Sequence, residues 1–224
     1  MTQHSQTFTD PEIAAVYRAI TERRDMRHFA PDPVAPEVLT KLLQAAHHAP
    51  SVGLMQPWRF IRITSQELRH QIYELVQAER LKTAEALGQS ESKARMLEFM
   101  RLKVEGILEC GELLVVALCD KREGYIFGRR TLPEMDLASA ACAIQNLWLA
   151  ARAEGLGMGW VSMFDPIALG SLLHIPNDGK AIAILCLGHV NQFYAQPMLV
   201  EEAWAKEKPL SELMMENQWQ EKGE

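Results

Sequence analysis

Apolar residues recur at helical spacing near the start of the chain. Val16, Tyr17 and Ile20 form a stripe, Thr9 or Asp10 can cap the helix, and Pro11 suits its first turn. The helix runs into Arg23-Arg24-Asp25-Met26-Arg27, after which Pro31 and Pro33 enforce a break. A second helix is predicted from near Pro36, with Val38, Leu39, Leu42, Leu43 and Ala46 on one face and Pro50 as its stop. The loop 51–57 leads into a predicted strand, Trp58 to Ile63. Ser65 can cap a helix through about Leu87. A second polar-faced helix is expected from about Ser90 to Leu108, with Gly88 as a weak break between the two. Leu113 to Leu118, bounded by Gly111 and Asp120, reads as a buried strand. Asp136 to Glu154 is apolar on nearly every side and ends at Gly155, which predicts a helix buried in the centre of the fold. Further strands are expected at Met158–Met163 and Ala181–Val190, with a short helix opened by Asp165-Pro166 and ending near Ile175. From Gln196 the tail carries Leu199, Trp204, Leu210, Leu213, Met214 and Trp219 without a compact pattern, so it is either frayed or laid across a partner. No repeat, low-complexity tract or long linker interrupts the chain, and one α+β domain over residues 1–224 follows.

Composition narrows the function. The 224 residues are 48% hydrophobic and 23% charged, as in an ordinary globular protein. A net charge of -6 argues against a nucleic-acid binder, which needs clustered surplus cations, yet a few arginines can still hold one small anion. The polar start, MTQHSQTFTD, has no signal-peptide core, and no run reaches the ~20 apolar residues of a membrane span, so a cytoplasmic protein is expected. Cys110, Cys119, Cys142 and Cys186 lie in apolar stretches without zinc spacing and read as reduced core residues. His47 and His48 are adjacent, so on a helix they point about 100° apart and do not readily share a metal. Gly155-Leu156-Gly157-Met158-Gly159 has the wrong spacing for a dinucleotide fingerprint and sits between a helix and a strand in the wrong order. No metal is expected.

Two segments carry chemistry. Arg23 and Arg27 share a face while a helix lasts, and two guanidinium forks there can grip one phosphate. The alternative is a set of cations favourably placed at a helix C-terminus. The second segment, Ala49-Pro50-Ser51-Val52-Gly53-Leu54-Met55-Gln56-Pro57-Trp58, can present backbone N–H groups, Ser51 and Gln56 to the edge of a planar ring, with Met55 or Trp58 near its face. It reads equally as a connecting loop anchored by Trp58.

Taken together, R-R-x-x-R and A-P-S-x-x-x-x-Q-P-W resemble the nitroreductase superfamily. The run R-R-D-M-R, the segments A-P-S-V-G-L-M-Q-P-W-R-F and G-R-R-T-L-P-E-M-D-L, and C-A-I-Q-N-L-W-L-A-A-R-A-E-G-L-G-M-G-W-V-S resemble, within it, the 5,6-dimethylbenzimidazole synthase family over about Phe8 to Trp219. Ala138 is a departure, because an aromatic residue is expected after M-D-L. The resemblance implies an α+β nitroreductase-like fold with a central mixed or antiparallel sheet flanked by helices. It also implies an intertwined homodimer with FMN at the subunit interface and residues 196–224 as an arm on the partner. FMN-binding roles fall on Arg23, Arg24, Asp25, Met26, Arg27, Ser51, Met55, Gln56, Trp58, Ser162 and Gly188.

The implied reaction is oxygen-dependent fragmentation of reduced FMN to 5,6-dimethylbenzimidazole, the lower ligand of cobalamin, with O2 as co-substrate and a flavin reductase supplying the reduced FMN. Asp25 is the candidate for proton transfer, and Ser162 for a hydrogen bond near the reactive centre. Burial would raise the Asp25 pKa while neighbouring arginines would lower it. Two rivals stand beside it: an NAD(P)H-dependent nitro- or quinone reductase on the same fold, and a non-catalytic flavin-binding or storage protein.

Overall fold

A computed structural model of the chain describes residues 7–219. Four strands, β1 (Trp58–Ile63), β2 (Glu112–Leu118), β3 (Gly157–Val161) and β4 (Lys180–Gly188), form one sheet in the order β1-β2-β4-β3. Every neighbouring pair is antiparallel. The eight helices among the described residues are α1 (Asp10–Glu22), α2 (Pro36–His47), α3 (Gln66–Ser90), α4 (Lys93–Arg101), α5 (Met135–Ala153), α6 (Pro166–Leu172) and the short α7 (Met198–Glu201) and α8 (Leu210–Leu213).

Strand periodicity divides the core between the two faces of the sheet. Leu114, Val116 and Leu118 of β2 pack with α2 and α5, through Leu39, Leu42, Ala143, Ile144 and Leu147. Leu113 and Val115 point the other way, toward Ile72 and Val76 of α3 and Leu169 of α6. Covered on both sides, β2 is buried along its whole length, which explains the unbroken apolar run from Leu113 to Leu118. The result is a helix–sheet–helix sandwich.

Several expectations change. The helix expected to reach Leu108 ends at Arg101, because Leu102 turns to an extended conformation and Arg80 donates to the carbonyls of Met100 (2.6 Å) and Leu102 (3.0 Å). Gly88 does not break α3, which continues to Ser90, and the new helix starts where the Ser92 hydroxyl accepts from the Arg95 N–H. The α1 stripe is not buried: Ile13, Val16, Tyr17 and Ile20 are all exposed. On α5 only one side is core. Leu137 and Cys142 are exposed, so the helix lies at the edge of the fold rather than in its centre. Of the four cysteines only Cys110 and Cys186 are buried. The Arg122-to-Glu134 stretch is pinned by Asp136, whose carboxylate accepts from Arg122 at 2.8 Å and from Arg129 at 3.2 Å. In the tail, residues 197–204 lie on their own chain, where Trp204 packs on Phe99 and under Arg95. Beyond them Leu210, Leu213, Met214 and Trp219 stand exposed.

The chain segment after α1 runs along β3, and two glycines of that strand permit the approach. A Cβ at Gly159 would lie 2.2 Å from the Met26 carbonyl oxygen, a contact with rigid backbone. Gly159→Ala is therefore expected to cost about 1–3 kcal/mol and to lower Tm by roughly 3–10 °C. Gly124→Ala, which meets nothing within 4 Å, should leave Tm unchanged. Thermal unfolding of the two variants checks this, and a wild-type Tm for Gly159→Ala would contradict the packing described.

Candidate active site

The helix α1 ends at Glu22, and Arg23 adopts φ -60°, ψ 134°, so the arginine run is extended rather than helical. Asp25 forms a parallel bridge to Met158, and the Met26 N–H donates to the Met158 carbonyl at 2.9 Å. Alternation now governs the side chains. Met26 turns into the core and is 1% exposed, while Arg23, Asp25 and Arg27 line a cleft of about 480 Å³, whose rim Arg24 also reaches. The expectation that Arg23 and Arg27 share a helical face is thus replaced: they share the face of an extended strand.

The three arginines differ in what they are free to do. Arg27 is committed: Nη1 and Nη2 each lie 2.6 Å from an Asp25 carboxylate oxygen, and Nη2 also donates to the Trp160 carbonyl at 3.1 Å. Arg24 donates to the carbonyls of Thr21 (2.7 Å), Arg23 (2.8 Å) and Ala195 (2.9 Å), tying the end of α1 to the tail. The Nε groups of both are buried without a protein partner. Among the described residues the Arg23 guanidinium makes no hydrogen bond, and it stacks 4.5 Å above the Trp148 ring. Arg23 is the guanidinium available to an anion.

Asp25 sits where the segment meets β3. Besides Arg27, its Oδ1 accepts from the Trp160 N–H at 2.9 Å. Burial pushes this carboxyl above the ordinary carboxylate value, against the Arg27 charge, the Trp160 and Arg27 hydrogen bonds and the Arg23 charge. Its side chain is surrounded by protein yet keeps 43% of its surface open to the cleft, so a ligand can reach it. Ser162, just past β3, lines the same cleft. The remaining walls are largely apolar, with the aromatic residues Trp148, Trp160, Phe99 and Trp204 among them.

The second segment lies elsewhere on the chain. Met55, Gln56 and Trp58 line a separate cleft of about 420 Å³ with Leu43, His47, Arg59 and Phe60. The loop is a 3-10 turn (Val52–Leu54) in which Gly53, Leu54 and Gln56 all have positive φ, at 53°, 53° and 47°. For Leu54 and Gln56 this left-handed backbone costs about 1–2 kcal/mol each, and such strain persists where neighbours hold it. The Ser51 hydroxyl accepts from the Gln56 N–H (3.1 Å), the Ser139 hydroxyl accepts from the Val52 N–H (3.0 Å), and Trp58 Nε1 donates to His47 Nδ1 at 3.4 Å. Gly188 belongs to neither cleft. It ends β4 beside Gly111, whose N–H a Cβ there would meet at 2.9 Å. Sequence reasoning missed Trp148, Trp160, Phe99 and Trp204, because an aromatic residue in an apolar run carries no signal of which cleft it faces.

An extended arginine-rich segment docked on an antiparallel sheet thus brings a guanidinium without a hydrogen bond and a carboxyl together beside aromatic walls. The chain matches the Nitroreductase family over residues 20–189, and it belongs to that family. It is 39% identical over 189 residues to a 5,6-dimethylbenzimidazole synthase of Rhodospirillum rubrum, a match covering 84% of this chain and 87% of that protein. Among solved structures it is similar to a BluB-like flavoprotein of Clostridium difficile, with a TM-score of 0.68 and 19% identity over 91% of this chain and 99% of that one. It is also similar to an iodotyrosine deiodinase bound to FMN and 3-iodo-L-tyrosine, with a TM-score of 0.65 and 22% identity over 81% and 92% of the respective chains. The expected nitroreductase-like fold and the resemblance to the synthases both hold. Among the described residues no cluster of three or more His, Cys, Asp or Glu can hold a metal ion, and no helix is long and apolar enough to cross a membrane.

The Asp25 shift makes a signed prediction. A carboxyl whose folded pKa is raised binds its proton more tightly when folded. Its stabilising share is therefore complete below the unfolded value of about 3.9 and is lost as pH rises through the raised folded value. The stability of the wild type relative to Asp25→Asn should fall as pH is raised from about 4 through that window, as read by urea unfolding at a series of pH values. A difference that grows with pH would show the Arg27 pairing to dominate instead.

Proposed function

We propose that the protein is a 5,6-dimethylbenzimidazole synthase acting on reduced FMN with O2, and that it works as a homodimer. The observation that carries the reading is Asp25, paired with Arg27 and Trp160 yet open to a cleft whose Arg23 guanidinium is free. The family resemblance supplies the reaction, and the cleft supplies groups suited to it.

The residues fit FMN in kind. Arg23 offers a planar fork suited to a phosphate. The apolar and aromatic walls suit a flat ring system and exclude water from it. When bound, reduced FMN supplies both the electrons for oxygen and the ring that becomes product. The chain's own task is to hold and to move protons. Arg23 anchors the phosphate end. Arg27 and the Trp160 N–H fix the Asp25 carboxyl in one orientation, and its raised pKa brings it nearer to the range in which a carboxyl both gives and takes a proton. The Ser162 hydroxyl, on the same wall, serves as a hydrogen-bond partner at the reacting ring.

The family resemblance puts the loop from Ser51 to Trp58 at the flavin, and in one chain that loop borders a different cleft, which supports a site shared with a second copy. The surface argues for a second copy. The chain exposes 14619 Å², against roughly 10,000 Å² for a compact monomer of this length. The surplus is at least as large as one partner's share of a large obligate interface. It includes the α1 stripe, Leu137 of α5, Leu54, and the arm residues Leu210, Leu213, Met214 and Trp219. A second copy covering these faces brings its Met55–Gln56 loop to the Arg23 cleft, and the arm from residue 205 onward embraces it.

The reaction is tested by mixing the protein with reduced FMN in air and following products by chromatography and mass. Loss of flavin matched by 5,6-dimethylbenzimidazole is expected. Recovery of all the FMN where binding is shown would overturn the reading, and steady NAD(P)H oxidation with intact flavin would place the protein among the reductases. Asp25→Asn should hold FMN within about threefold of wild type and lose product formation by about 100-fold or more. Product at the wild-type rate would remove Asp25 from the chemistry. Sedimentation should give the mass of two chains, and Val16→Asp on the α1 stripe should yield monomers that retain FMN poorly. Monomers that bind FMN as well as wild type would contradict the shared site.

A further inference from the structure

We infer that Trp148 is a positioning residue for Arg23, fixing that guanidinium so that its edge donors serve an anionic ligand. The inference rests on the reading above in which Arg23 grips the phosphate of FMN. Trp148 lies on α5, a helix distant in sequence from the arginine run, and it holds that run at two adjacent points. Its ring lies under the Arg23 guanidinium, 4.5 Å from Cζ to the ring centroid. Its Nε1–H donates to the Arg24 carbonyl at 3.2 Å. The backbone on one side of Arg23 and the charged group at its end are thus set by one rigid indole.

The geometry separates two kinds of contact. A cation–π contact holds a guanidinium through its charge and uses none of its five N–H donors in hydrogen bonds. Arg23 is thereby held in place without spending a hydrogen bond on the protein, unlike Arg24 and Arg27, whose donors go to carbonyls and to Asp25. An unstacked arginine would lose side-chain freedom on binding an anion, and the stack removes that freedom beforehand. Trp148 is itself held. It is buried, it packs against Trp160 at 6.5 Å between ring centroids, and one turn further along α5 Arg152 pairs with Glu22 at the exit of α1. A mobile side chain there would position nothing.

The test compares FMN with riboflavin, which has the same ring and lacks the phosphate. Dissociation constants are measured for both ligands with wild type, Trp148→Phe, Trp148→Leu, Arg23→Gln and the double variant Trp148→Leu/Arg23→Gln. Trp148→Leu should weaken FMN by about tenfold, the scale of a lost cation–π stack and hydrogen bond together, and riboflavin by less than about twofold. Trp148→Phe keeps a ring under Arg23 and loses only the Nε1–H, so it should fall between. In the Arg23→Gln background Trp148→Leu should have almost no further effect on FMN, because the two residues act as one unit. Equal weakening of both ligands by Trp148→Phe and Trp148→Leu, or an undiminished Trp148→Leu effect without Arg23, would overturn the inference by marking the indole as packing alone. If Arg23→Gln itself leaves the FMN-to-riboflavin ratio unchanged, the phosphate reading fails and the inference falls with it. If Arg23→Gln abolishes the ratio and the Trp148 variants do not, only the inference fails.

Discussion

The docking of residues 23–27 along β3 sets the rest of the site. Two backbone contacts to Met158 and one carboxylate bond to the Trp160 N–H hold the segment extended. Extension sorts its side chains by twos, so Met26 enters the core while Arg23, Asp25 and Arg27 face the cleft. The approach is close enough that β3 carries glycine at 157 and 159, where a Cβ would strike Met26 or the side chain of Val190. Continued as a helix, the same five residues would send Asp25 and Arg27 to different sides. The Asp25–Arg27 pair beside Trp160 would then not form.

That docking also divides labour among three arginines that look interchangeable. Each guanidinium has five donors, and what distinguishes them is how many are already used. Arg27 neutralises a carboxyl that burial would otherwise push higher still. Arg24 closes the end of α1 and ties it to Ala195. Among the described residues Arg23 spends none of its donors on the protein. A half-exposed charge pair such as Asp25–Arg27 is weak evidence for stability by itself. Its value here is orientation, because it leaves the Asp25 carboxyl in one pose on the wall of a cleft.

Much of this was legible in the sequence. The apolar run of β2, the Asp165-Pro166 start of α6 and the Pro36–His47 helix follow from periodicity and capping, and the structure has them within a residue or two. The arginine run and the loop after α2 were recognised as chemistry-bearing from their residue types and order. What did not follow was conformation. Arg23 to Arg27 was read on a helical face because it continues a helical stripe, and nothing local forbids that until β3 is present to bind it. The exposed side of α5 was misread for a related reason: an apolar pattern reports that a face is covered, without saying whether the same chain covers it. Trp148 was invisible as a site residue because its role depends on a segment more than a hundred positions away.

The central claim is that the Arg23 cleft of one chain and the Ser51–Trp58 loop of a second copy form one flavin site. A crystal structure of the protein with FMN tests it most directly. The account predicts the phosphate on the edge of the Arg23 guanidinium, Asp25 and Ser162 within hydrogen-bond reach of the ring system, and the Met55–Gln56 loop of the second copy along the ring's border. FMN enclosed by one chain alone, or bound away from Arg23, would contradict it.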